Sequence, residues 1–236
     1  MTNLFSFGLN ILADIFYPKY CFGCRRAGAY LCKFCITQIP TLAQNFCIVC
    51  NTPSSNGWTH SNCLTDTSAD RLLSGLSYHN PLVSDMIITG KYYFVPETFA
   101  ILAALTTHNL LSKQSPEEFS SFVVCAIPLH TQRLKWRGFN QSEVAGKIIA
   151  QGLQIPYRNL LVRSKQTHTQ KNLSAAARKI NMQNAFSVSK TYAFKMPKKV
   201  VIIDDVTTTG QTFSEAVRAL KENGVEEVWC ISLAKD

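Results

Sequence analysis

Asp204 and Asp205 stand side by side behind the apolar run "VVII". Behind them come Thr207, Thr208, Thr209, Gly210, Gln211 and Thr212, and then an amphipathic stretch. The run reads as a buried strand, so the carboxylates fall at a strand end, where open α/β sheets hold ligands. Carboxylates repel phosphate and suit hydroxyls or a metal ion. Threonine hydroxyls and the free N–H groups of a helix start suit an anion, and Gly210 permits close backbone approach. The pattern describes a sugar phosphate, with its phosphate in the threonine loop and its vicinal hydroxyls on the aspartates. Adjacent strand residues point to opposite faces, so the chain is expected to turn at the pair. A capped helix with aspartate turn formers is the plain alternative. Two carboxylates and four threonines between 204 and 212 exceed what a cap requires. Neither GxxxxGK[ST] nor GxGxxG occurs, which argues against a P-loop or a dinucleotide fingerprint.

A second chemistry lies upstream, where seven of the nine cysteines fall between Cys21 and Cys63. Cys21/Cys24, Cys32/Cys35 and Cys47/Cys50 are CxxC pairs, and His60/Cys63 forms an HxxC. Zinc takes four such ligands tetrahedrally, so eight ligands fit two structural sites. In a reducing compartment this clustering favours metal over disulfides. Sequential and cross-braced pairings both satisfy the count, and His60 reads alternatively as a solvated loop residue. Cys125 and Cys230 lie in expected strands and read as core.

These residues need elements to position them. The chain has 236 residues and is 46% hydrophobic, enough to build a core. Its net charge of +9 and pI near 9.1 suit an anionic partner. The segment 1–17 reads as an amphipathic helix ending before Pro18 rather than a signal peptide. No run is long and apolar enough to span a membrane, and a cytoplasmic protein is expected. Composition shifts at Asp66–Arg71, which divides a zinc-ribbon part, 1–68, from a second part, 69–236. Helices are expected over 82–94, 97–111, 141–153 and 212–224, the third capped by Asn140 or Ser142. Strands are expected over 121–129, 200–205 and 226–234. Val- and Ile-rich strands separated by helices imply an α/β fold with a parallel sheet covered on both faces.

"VVIIDDVTTTGQT" resembles the phosphoribosyl pyrophosphate (PRPP) motif of type I phosphoribosyltransferases. "IPLHTQRLKWRGFNQSEVA", "TQKNLSAAARKINMQNAF" and the zinc knuckles narrow the resemblance to the ComF/GntX family of competence-associated proteins. His60 stands where family members often carry another cysteine. The resemblance implies a type I phosphoribosyltransferase-like sheet behind a small zinc-ribbon module. It implies that Asp204 and Asp205 hold the ribose 2′ and 3′ hydroxyls and act in catalysis. Residues 207–212 would cradle the 5′-phosphate. Pro128, Leu129 and His130 are similar to the pyrophosphate loop, with Arg133, Arg137, Asn140 and Gln141 after it, and Lys91 within reach of a phosphate. Asn140 reads alternatively as an ordinary helix cap. The implied cofactors are structural Zn²⁺ and Mg²⁺ with PRPP.

Between Arg163 and Lys199 lie nine basic residues and no acid, among them Lys165, Lys171, Arg178 and Lys179. Three readings stay open: a loop closing over PRPP, a single-stranded DNA surface, and a solvated charge run. A helix is expected from about Ser174. Two functions follow. One is phosphoribosyl transfer with pyrophosphate release to an unassigned acceptor. The other is a non-catalytic PRPP sensor that binds single-stranded DNA with its basic surface and zinc module. The resemblance ties either to DNA uptake in natural transformation, alongside other uptake proteins.

Overall fold

β5, Lys199–Thr207, is an inner strand of a parallel sheet whose order is β1 (Arg71–Ser77), β6 (Glu227–Lys235), β5, β2 (Val123–Ala126). This computed structural model describes residues 18–164, 184–192 and 195–236. The expected N-terminal helix over 1–17, the helix from Ser174, and Lys165, Lys171, Arg178 and Lys179 lie outside them. No described helix is long and apolar enough to cross a membrane.

β5 is buried along both faces because alternate residues feed two cores. Val201 and Ile203 pack with α2 (Pro81–Tyr92), α3 (Pro96–Leu111) and α5 (Gln141–Leu153). Val200 and Ile202 pack beneath α6 (Gln211–Lys221) and the antiparallel pair β3 (Leu161–Arg163) and β4 (Phe186–Val188). Burying both faces of a parallel sheet explains the unbroken apolar runs.

Several boundaries differ from expectation. β1 was not foreseen, because "RLLSGLS" carries a buried arginine and no β-branched residue. The short helix α4, Thr131–Arg137, and the β3–β4 pair were likewise not anticipated. The strand expected over 121–129 is confined to Val123–Ala126. α6 ends at Lys221, and Gly224 follows with φ +89°. The chain does not turn at Asp204–Asp205. β5 runs on through Thr207, because pairing with β6 continues to Thr207↔Lys235.

The Cys-rich part packs into both cores. Cys21, Leu31, Cys35 and Ile39 join the α2–α3 side, and Ile48 joins the α6 side. Arg71 fastens the junction while only 1% exposed. Its Nη1 meets Glu118 at 3.0 Å, Nη2 meets Gln114 at 2.6 Å, and Nε donates to the Asn56 carbonyl at 2.8 Å. Its guanidinium lies 4.9 Å from the Trp58 ring and 4.6 Å from the Trp229 ring. A buried charge is tolerated only with such pairing.

Candidate zinc clusters and sugar-phosphate site

The cysteines resolve into two sequential groups. Cys21, Cys24, Cys32 and Cys35 form one; Cys47, Cys50, His60 and Cys63 form the other. Within each group all ligand atoms lie within 4.8 Å of one another. Four thiolates about 2.3 Å from a shared zinc stand about 3.8 Å apart. Cys24 and Cys32 sulfurs are 3.6 Å apart, and Cys50 Sγ lies 3.4 Å from His60 Nδ1. His60 Nε2 faces the Pro53 carbonyl at 3.2 Å, an outer partner that would orient a ligating imidazole. Both donor sets therefore fit zinc with every position filled by protein. The Thr52 hydroxyl, 3.0 Å from Cys50 Sγ, holds that thiol down at about 6. Cys125 and Cys230 sit apart, buried in β2 and β6, where desolvation raises both thiols.

The second site forms at the C-terminal end of β5, which runs on from Ile203 to Thr207 past the last residue of β2, Ala126. Asp204 and Asp205 are both buried. Asp204 Oδ1 accepts from the Ser142 hydroxyl at 2.9 Å and from the Asp205 N–H at 2.9 Å. Burial first, then the Asp205 carboxylate, pushes Asp204 up to about 7. Asp205 Oδ2 stands 3.0 Å from Lys91 Nζ as an ion pair, yet it has no hydrogen bond. Among the described residues, Thr207 Oγ1 and Arg137 Nε are also buried without a hydrogen-bond partner. Burial lowers the Arg137 pKa, with the Asp205 carboxylate opposing. Its Nη1 meets Gln141 Oε1 at 2.5 Å.

The threonine loop follows directly. Thr208 and Thr209 are exposed, and Gly210 precedes α6 with φ +72° and no side-chain cap. The first N–H groups of α6 thus lack a capping side chain, the arrangement that receives phosphate. Gly210 lies against the zinc module: a Cβ at that position would lie 3.0 Å from the Ile48 carbonyl oxygen. Lys235 Nζ supports the loop at the Thr208 carbonyl, 3.3 Å away.

A phosphoribosyl transferase domain matches residues 140–236, and a double zinc ribbon domain matches residues 12–64. Competence protein F of Haemophilus influenzae is 30% identical over 230 residues, covering 93% of this chain and 98% of that protein. The chain belongs to the ComF/GntX family. The DNA utilization protein YhgH of Escherichia coli is 29% identical, covering 91% of this chain and 96% of its own. Competence protein ComFC of Streptococcus pneumoniae is 31% identical over half of each chain.

In this ComF/GntX chain the expected site residues divide by what holds them. Asp204, Asp205, Thr207 and Lys91 meet at the end of β5. Pro128, Leu129 and His130 lie on the loop after β2, beside that strand end, with Ile127 N–H bonded to the Ile203 carbonyl at 2.9 Å. His130 caps α4. Asn140 caps α5: its Oδ1 accepts from Ser142 N–H at 3.1 Å, and its Nδ2 donates to the Ile127 carbonyl at 3.0 Å. Asn140 therefore braces the β2 loop against α5. Lys91 Nζ meets the Asp205 carboxylate. Sequence reading missed Ser142, Arg163 and Lys235. Arg163 lies near both Arg133 and Asp204 electrostatically, and its place in "LVRSK", a short basic strand, gave little signal. Ser142 was noted only as a possible cap.

Proposed function

We propose that this chain binds PRPP with Mg²⁺ at the C-terminal end of β5, beside the loop that follows β2, and transfers its ribosyl phosphate, releasing pyrophosphate. One observation carries the reading. Among the described residues, Thr207 Oγ1 and Arg137 Nε are buried without a hydrogen bond, and Asp205 Oδ2 has only its ion pair with Lys91. Leaving a buried polar atom unmet costs about 1–3 kcal/mol; Lys91 already offsets the Asp205 charge, and a polyhydroxylated, phosphorylated ligand supplies partners for the Thr207 hydroxyl and Arg137 Nε. The donor set also fits Mg²⁺, a hard cation held through one or two carboxylates and substrate phosphates. When bound, the ion neutralises charge on the leaving pyrophosphate.

The chain's residues have separable roles. Asp204 and Asp205 orient the ribose hydroxyls. Ser142 fixes Asp204, and Lys91 balances Asp205. Residues 207–212 hold the 5′-phosphate at the start of α6, while Arg133, Arg137 and the loop 128–130 face the pyrophosphate. In the transfer the C1–O bond to pyrophosphate breaks, pyrophosphate keeps the electron pair, and an acceptor lone pair bonds C1. The acceptor's proton leaves to solvent. The names of the relatives, competence protein F and DNA utilization protein, support a place for this chemistry in DNA uptake or use. Free thiols in two zinc-type clusters suit the cytoplasm.

Titration calorimetry with PRPP, with and without Mg²⁺, tests the site. Pyrophosphate release in the presence of candidate acceptors tests the reaction. Binding without release supports a sensor, and no binding with the loop intact overturns the assignment.

A further inference from the structure

Lys235 is a buried cation, 7% exposed, that takes no part in the reaction above. It closes β6 directly opposite Thr207, the last residue of β5. Residues in register on neighbouring strands project to the same side of a sheet. The ammonium and the Thr207 hydroxyl, which is unmet among the described residues, therefore leave the sheet on one face. Lys235 Nζ donates to two main-chain oxygens, that of Thr208 at 3.3 Å and that of Asp236. It also lies 5.5 Å from the centre of the Phe46 ring, which belongs to the zinc module. The neighbouring Asp236 carboxylate stands 3.8 Å from His79 Nε2. Desolvation lowers the Lys235 pKa, with Asp236 opposing. An ammonium held out of water against a ring is costly unless an anion compensates it.

The Thr208 carbonyl gives this cation a direction. A trans peptide carries its C=O and the following N–H on opposite edges. Lys235 takes the Thr208 carbonyl, so the Thr209 N–H leaves the same peptide on the far side. Thr209 is exposed, and among the described residues its N–H donates to no partner. Gly210 and the uncapped start of α6 follow at once. A cation on the carbonyl polarises the peptide and strengthens its N–H as a donor.

We propose that Lys235 is a positioning residue of the 5′-phosphate subsite. It fixes and polarises the Thr208–Thr209 peptide so that the Thr209 N–H meets the phosphate, and it sets a positive charge behind the loop for a phosphate monoester dianion. The inference rests on the PRPP reading and adds to that site a residue from outside the loop 207–212.

The test uses the full chain and three probes: PRPP with Mg²⁺, ribose 5-phosphate, and pyrophosphate with Mg²⁺, which lacks the 5′ group. Titration calorimetry compares the parent with Lys235→Met, Lys235→Gln and Lys235→Arg. The methionine variant should bind PRPP and ribose 5-phosphate about tenfold more weakly and pyrophosphate as the parent does, the scale of a lost hydrogen bond to a charged group. Glutamine keeps a donor without the charge and should lose about fivefold, while arginine keeps the charge and should stay within about threefold. Methionine removes a buried charge and fills the same space, so the ligand-free variant should melt at or above the parent's temperature. In ¹H–¹⁵N spectra the Thr209 amide proton should move downfield when ribose 5-phosphate is added to the parent, and much less in the methionine variant. Unchanged PRPP affinity in the methionine variant overturns the proposal, and so does an equal loss of pyrophosphate affinity. A glutamine variant that matches the parent, or a Thr209 amide that ignores ribose 5-phosphate in the parent, overturns it too. A parent that binds neither PRPP nor ribose 5-phosphate removes the PRPP reading together with this inference, whereas a parent that binds both and is indifferent to Lys235 removes this inference alone.

Discussion

Lys91 Nζ lies 3.0 Å from Asp205 Oδ2, joining the last turn of α2 to the end of β5. The lysine side chain is 23% exposed and the aspartate 7%, so the carboxylate is the more deeply placed partner. In the proposed PRPP complex, Mg²⁺ would stand beside the carboxylate that Lys91 holds here. Lys91→Met leaves a buried anion alone and lowers stability by about 1–3 kcal/mol without ligand. Mg²⁺ with PRPP supplies a replacement charge, so its addition raises the melting temperature more in the variant than in the parent. Scanning calorimetry with and without the ligand checks this, and an equal rise in both proteins refutes it.

Gly210 is required twice, by φ +72° and by the Ile48 carbonyl beside it. Gly210→Ala adds a left-handed penalty of about 1–2 kcal/mol and pushes the loop off the zinc knuckle. PRPP affinity should fall at least tenfold while the sheet stays folded. Gly224→Ala is the control, since φ there is +89° with nothing near its missing Cβ. It should lose similar stability and keep PRPP affinity. Equal affinity losses in the two variants would remove Gly210 from the phosphate site.

Much of the site was legible because its chemistry is local. "VVIIDDVTTTG" holds strand, carboxylates and loop within eleven consecutive residues, and the CxxC spacing is a direct image of two-ligand knuckles. The zinc pairing was not legible, because sequential and cross-braced sets use the same residues. Lys91 and Ser142 meet the aspartates only through tertiary packing, across 114 and 62 positions. β1 escaped because its first residue, Arg71, is a buried cation whose partners Gln114 and Glu118 lie more than forty positions away. The expected turn at the aspartate pair failed because pairing with β6 is stronger evidence for a strand than the residue types suggest.

The second zinc cluster should tune the phosphate loop. Ile48 lies between ligands Cys47 and Cys50, is buried, and touches Gly210. Cys63→Ala should lower zinc from two per chain to one and weaken PRPP binding about fivefold, while the sheet keeps its cooperative transition. Cys35 is buried in the α2–α3 core, so Cys35→Ala should mainly lower overall stability. Metal content by mass spectrometry and PRPP titration separate the two effects. Unchanged PRPP affinity with the second zinc lost would disconnect the modules.

Arg71 ties the Cys-rich part to the sheet from a buried position, so its removal should be costly. Arg71→Met empties three polar contacts and leaves Gln114 and the Asn56 carbonyl short of a donor. The expected loss is about 2–4 kcal/mol, read from urea unfolding, with zinc content unchanged. A loss under about 0.5 kcal/mol, the scale of an ordinary surface change, would show that the guanidinium serves no such role.

Asp204 gives the apo protein a defined pH dependence. Burial, then the neighbouring Asp205, raises its carboxyl from 3.8 to about 7. Between those values the folded chain holds a proton that the unfolded chain has released. Stability from this group is therefore full below the unfolded value and is lost as pH rises through about 7. Asp204→Asn is neutral at every pH and removes the effect. Urea midpoints for both proteins from pH 5.5 to 8.5 avoid acid release of zinc from its thiolates. The parent should lose stability relative to the variant as pH rises, by at most about 1.4 kcal/mol per pH unit. The difference should level off above the folded pKa. A parent-minus-variant difference that stays flat, or grows with pH, would mean that Asp204 is already ionised in the folded chain. Ser142 and the Asp205 N–H would then be holding an anion rather than a carboxylic acid.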